Sequence, residues 1–188
     1  MKHFRILAAL IVLPVIFGSQ MVVGQSPSAF SPYVDAEGTI SMPSDFREWA
    51  YLGTWSIAGD DEAGGAAGFH IVYTQPETIE AYRRTGEFPD GAVLVKELIE
   101  ADTGDLTTGR VSWANRVTGW FVMIKDRQGR FEGNGLWGDG WGWALFQADD
   151  PATTVTEDYK AECISCHVPA ENDDWVYLRG YPVLNKPQ

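Results

Sequence analysis

Five residues constrain this chain more than any others: Cys163-Ile164-Ser165-Cys166-His167. They contain both cysteines of the 188-residue sequence, so a framework of several disulfides is impossible. On a helical turn, positions i and i+3 share one face. Two thiols so placed can reach two neighbouring vinyl groups on one porphyrin edge, and the next residue can offer a ring nitrogen to the iron. Cys-x-x-Cys-His is the pattern of c-type haem attachment. A fold that carries it needs an apolar slot wide enough for a porphyrin. Three rivals explain less. A thiol–disulfide active site usually opens a helix after a strand in a βαβ setting, which this chain lacks. A plain disulfide leaves His167 without a role, and a zinc site lacks a convincing fourth ligand. The expectation is one covalently attached haem c, with Cys163 and Cys166 as thioethers and His167 as the iron ligand.

The N-terminus agrees with that chemistry. Lys2, His3 and Arg5 precede an unbroken apolar run from Ile6 to Phe17, and Val22-x-Gly24 offers a cleavage site before Gln25. Residues 1–24 read as a signal peptide; the apolar run is too short for a preferred membrane span. The address is outside the cytoplasm, in the periplasm of a Gram-negative source, with no membrane association after cleavage. The 14 Lys and Arg residues against 26 Asp and Glu give a net charge of −12, which argues against nucleic acid as a partner.

Residues 25–42 lack periodicity and read as an irregular, loose lead-in; residues 43–188 read as a single domain. Twenty glycines, ten prolines and many aromatic residues favour strands over long helices. A short helix opens at Ser44–Glu48, where Asp45 and Glu48 have capping-box spacing. Strands follow at 52–58 and 69–74, separated by a Gly-rich acidic loop. Pro76, Glu77–Arg84 and Gly86 outline a helix with its start and stop signals. Further strands are expected at 92–100, 110–115, 119–125 and 140–147, with turn residues at 102–109. Thr156–His167 reads as a helix ended near Pro169, and 175–184 as a last strand. The class is α+β: a mainly antiparallel sheet with short helices, the C-terminal one carrying the haem attachment motif.

A sixth iron ligand is harder to find. Met123 lies within Trp120-Phe121-Val122-Met123-Ile124, where packing is its expected role. His70 either faces the haem as a polar distal group or is a satisfied strand histidine. No segment presents a clear ligand, which favours an open iron site that binds a small molecule. Side chains on strand 92–100 alternate between faces. Lys96 therefore shares a face with Leu94 and Leu98. It either snorkels to solvent from an edge strand, or is desolvated towards a neutral, nucleophilic amine.

Three motifs carry a family resemblance: Thr85-Gly86-Glu87-Phe88-Pro89-Asp90-Gly91, Val95-Lys96-Glu97-Leu98, and Ala161-Glu162-Cys163 through His167. The chain resembles the cytochrome P-460 family from Phe46-Arg47-Glu48-Trp49 to Tyr181-Pro182-Val183-Leu184. The resemblance implies a β-rich, usually homodimeric periplasmic protein with a five-coordinate c-type haem near its C-terminus. It implies a lysine joined covalently to a meso carbon of the porphyrin, and that lysine matches Lys96. Members with the cross-link oxidise hydroxylamine and also bind nitric oxide. Relatives without it, the beta-type cytochromes c-prime, bind small gases in an apolar pocket. His70 stands where some members have an arginine near the haem. An acidic group takes up protons in active members, and Asp158 is the nearest match, with a solvated helix-start carboxylate as the other reading of that residue. The implied function is hydroxylamine oxidation, with Lys96, Asp158 and His70 as catalytic candidates and a soluble cytochrome as electron acceptor. The alternative is a nitric-oxide or small-gas binder without turnover.

Overall fold

The computed structural model describes residues 30–60 and 64–185. The signal segment 1–24 lies outside the described residues. A seven-stranded antiparallel sheet organises the chain: β1 (Ala50–Ala58), β2 (Ala66–Thr74), β3 (Val93–Leu106), β4 (Gly109–Lys125), β5 (Trp137–Gly138), β6 (Trp141–Gln147) and β7 (Asp150–Thr154). The strand order is β1-β2-β3-β4-β6-β5, with β7 on β6. Between β2 and β3, helix α1 spans Pro76–Thr85. Its signals act as expected: Pro76 stands in the first turn and Gly86 closes the helix at φ 78°, in the left-handed region glycine tolerates.

The sheet separates two apolar clusters. One face carries Val93, Val95, Val122, Ile124, Ala144 and Phe146, covered by Ile40, Phe46 and neighbours from the N-terminal segment. The other carries Leu52, Val72, Leu94, Met123, Trp141 and Trp143, covered by α1 and the C-terminal turns. This is the period-two alternation of strands, with both faces buried. The lead-in is irregular but not loose where it is described. Ile40 is buried, and Trp137 Nε1 donates to the Gly38 carbonyl at 2.6 Å.

Several expected boundaries shift. Residues 102–106 belong to β3, and β4 is one strand rather than two. The β3–β4 turn is only Thr107-Thr108. Cross-strand polar pairs hold the arm that composition marked as a turn: Thr103 with Ser112, Asn115 with Asp102, and Arg116 with Glu100. Register shifts between Leu98 and Ala101 fall opposite the apparent gap in β4. At the N-terminal side, Phe46–Glu48 is a single 3-10 turn without a side-chain cap; the Asp45 carboxylate accepts instead from Tyr33 Oη and Trp49 Nε1.

The C-terminal helix is also different. It divides at Cys163 into α2 (Tyr159–Glu162) and α3 (Ile164–His167); Cys163, at φ −116° and ψ −43°, stays right-handed but stretches the turn between them. Pro169 does not stop the chain's winding. It sits in the first turn of a 3-10 segment, Val168–Asp173, and the left-handed Asp174 ends it. Residues 175–184 form no strand; they make two 3-10 turns, Leu178–Gly180 and Pro182–Leu184, that cover the cavity face.

Candidate haem site

A cavity of about 480 Å³ lies between the sheet and the C-terminal turns. Val72, Leu94 and Met123 supply apolar wall from β2, β3 and β4, while Cys163, Cys166 and His167 approach from the other side. Lys96 and His70 line the same space. Its size is that of a cofactor or small-molecule site.

Cys163 is buried, Cys166 is exposed, and both are free thiols. Burial, with the Glu162 carboxylate beside it, pushes the Cys163 thiol up to about 11. A redox-active Cys-x-x-Cys favours the opposite, a stabilised thiolate, and the surroundings of Cys163 do not supply one. His167 has one nitrogen engaged: Nδ1 lies 2.7 Å from the Trp175 carbonyl oxygen. A carbonyl can only accept, so Nδ1 carries the proton and Nε2 keeps its lone pair. Burial lowers the pKa of His167, against the pull of the Trp175 carbonyl, and so favours the neutral ring a metal requires. Trp143 packs edge-on against the imidazole, with ring centroids 4.9 Å apart.

Lys96 does not lie on an edge strand. β3 is paired on both sides, with Val72 of β2 and Phe121 of β4 opposite Lys96. Its ammonium lies 4.4 Å from the Phe121 ring centroid. Among the described residues no carboxylate pairs with it. Burial lowers its pKa, which moves the amine towards its nucleophilic form. His70, half-buried on β2, is held down to about 4, chiefly by burial and then by the Lys96 charge. It is neutral at pH 7 and can donate or accept one hydrogen bond.

Asp158 is not part of this wall. It is the N-cap of α2, its carboxylate accepting from the Lys160 backbone N–H at 2.9 Å. Sequence proximity to Cys163 suggested proximity to the haem, but the capping geometry turns the carboxylate to the helix start. The carboxylate that lines the cavity is Glu162, next to Cys163 in the quoted motif. Its Oε1 also accepts from the backbone N–H groups of Glu157 and Asp158, each at 3.1 Å. Sequence reasoning also missed Arg179, Trp143 and Tyr177 as wall residues. Arg179 and Tyr177 come from the tail read from sequence as a strand, which instead makes the 3-10 turns that face the cavity.

The residues fit a haem on their own chemistry: two unpaired thiols three positions apart, a neutral imidazole with Nε2 free, and an apolar slot. An antiparallel sheet holding such a slot under a Cys-x-x-Cys-His turn defines a haem-protein site. A family model described as Cytochrome P460 matches residues 43–178. The chain belongs to the Cytochrome P460 family, and a haem cofactor follows from that membership. No curated protein matches the chain.

Proposed function

We propose that this chain is a periplasmic enzyme that oxidises hydroxylamine at a covalently attached c-type haem. The observation that carries the reading is the meeting of Lys96, His70, Cys163, Cys166 and His167 around one apolar cavity. When bound, the haem supplies an open iron position for the substrate nitrogen and a route for its electrons. Cys163 and Cys166 would hold the porphyrin edge as thioethers, and His167 would hold the iron through Nε2. Lys96, desolvated and without a carboxylate partner among the described residues, would be the amine bonded to the ring; that bond would replace one amine N–H and one ring C–H, with two electrons passing to an external oxidant.

The remaining residues bind and move protons. Neutral His70 orients the small substrate by hydrogen bonding, a role that its position on the wall and its low pKa both support. Glu162 takes the place proposed for Asp158 as proton acceptor, since it is the carboxylate on the wall. Val72, Leu94 and Met123 limit water around the reacting atoms. Electrons leave to a soluble cytochrome; the acidic chain suits a basic acceptor. The family resemblance favours a homodimer as the working form.

A second reading draws on the same wall. It is mostly apolar, and Glu162 is committed to capping α2 as well, which suits a nitric-oxide or small-gas binder without turnover. Spectra and turnover of the purified holoprotein separate the two. The enzyme reading predicts a strongly red-shifted ring absorption and hydroxylamine-dependent reduction of a cytochrome acceptor. An ordinary c-type spectrum that shifts with nitric oxide, without turnover, selects the binder. A spectrum with two strong protein ligands on iron contradicts both.

A further inference from the structure

Three non-glycine residues among those described have positive φ, and two are adjacent: Asp174 (φ 56°) and Trp175 (φ 64°). Consecutive non-glycine residues in this region are strained and persist only where the surroundings impose them. The second supplies the carbonyl that meets His167 Nδ1. The first is gripped from the sheet. Lys125 Nζ donates to Asp174 Oδ1 at 2.6 Å, while Trp141 Nε1 donates to the Asp174 carbonyl at 3.0 Å and approaches Oδ1 at 3.2 Å.

Lys125 and Trp141 are cross-strand partners on β4 and β6, and the next pair on the same face is Met123 with Trp143. One pair holds Asp174; Trp143 of the other packs on the His167 ring. Lys125 is itself buried, with its ammonium 4.8 Å from the Trp141 ring centroid. A buried lysine committed to one carboxylate is costly to hold unless the geometry is good. Here it fixes a strained turn seven and eight residues beyond His167.

We propose that the Lys125–Asp174 ion pair, with Trp141, is a positioning device for His167. It holds the left-handed turn that presents the Trp175 carbonyl to Nδ1. That hydrogen bond fixes the tautomer and ring orientation, and raises the donor strength of Nε2 towards iron. Lys125 and Asp174 act through the backbone and touch neither cofactor nor substrate. The inference rests on the reading of His167 as the iron ligand, and goes beyond it.

The test uses the haem-loaded full chain and two readouts that stability alone does not move: the iron–histidine stretching frequency of the ferrous protein, and the reduction potential. Lys125→Met removes the cation, loosens the turn and weakens the Nδ1 hydrogen bond. The stretch moves to lower frequency, and the potential rises because the ferric state loses donor strength. Asp174→Asn keeps the shape, a Trp141 acceptor and a residue that tolerates positive φ; it shifts both readouts the same way by less. Asp174→Ala shifts them by more, and Lys125→Arg restores most of the wild-type values. Wild-type frequency and potential in folded Lys125→Met and Asp174→Asn proteins overturn the proposal, whatever their melting temperatures. A wild-type holoprotein with no iron–histidine stretch overturns the underlying ligand assignment instead, and the inference with it.

Discussion

Lys96 and Glu97 are neighbours on β3 and point to opposite faces of the sheet. Glu97 is only 4% exposed, and its carboxylate accepts from Arg47 and from Trp120 Nε1. Lys96 faces the cavity with an aromatic ring beside it and no carboxylate partner among the described residues. The N-terminal segment closes one face and pairs the charge it buries. The other face holds a space; Lys125 at its end is paired with Asp174, but Lys96 beside the space has no such partner. Buried charge without a partner destabilises a fold, and a desolvated amine on a cavity wall is a candidate for chemistry.

The largest effect that separates the two faces is spectroscopic. Lys96→Met leaves the two thioethers, returns the absorption to an ordinary c-type spectrum and abolishes hydroxylamine oxidation, while nitric oxide still binds. Its thermal stability without haem stays level or rises, because a desolvated amine is removed; a melting curve checks this. Glu97→Gln gives the converse. It loses the charge that holds Arg47, costs about 1–2 kcal/mol and lowers the melting temperature by a few degrees. The haem spectrum does not change. A red-shifted spectrum retained by Lys96→Met, or lost in Glu97→Gln, breaks the comparison.

His70 sharpens it through pH. Its folded pKa, about 4, lies below the ordinary 6.5, so the unfolded chain binds the extra proton first. The stability of its neutral, buried state is fully present above about pH 6.5 and is lost as pH falls through about 4. Thermal melts of haem-free wild type and His70→Gln, taken between pH 7 and pH 4, converge or cross as the wild type loses stability faster. Parallel pH curves would show that His70 is not desolvated. The smallest effect is expected at Asp158. Asp158→Ala loses a helix cap worth about 1 kcal/mol and leaves turnover at saturating hydroxylamine unchanged. Glu162→Gln, by contrast, keeps an amide oxygen to accept the backbone N–H groups and slows turnover.

The parts of this site that depend on local spacing were legible in the sequence. Cys163, Cys166 and His167 follow from one turn of chain, α1 follows from Pro76 and Gly86, and the face of Lys96 follows from strand alternation. Its true environment required β3 to be an internal strand, which alternation alone does not decide. The long-range parts were hidden. The strand arm at 102–106 is built from Thr, Asp and Gly, whose cross-strand partners are set by register rather than by propensity. The left-handed Asp174-Trp175 turn is held by Lys125 of β4 and Trp141 of β6, which spacing along the chain does not announce. Asp158 shows the limit of sequence nearness: five residues from Cys163, it is held to the start of α2, and Glu162 reaches the cavity instead.

The central claim is that Lys96 is placed for bond formation with the porphyrin, and peptide mapping of the mature wild-type holoprotein tests it most directly. Proteolysis followed by mass spectrometry should recover one haem-bearing species that joins the Cys163–His167 peptide to the peptide containing Lys96. Recovery of the Lys96 peptide unmodified, beside a haem peptide containing only Cys163–His167, would contradict the claim.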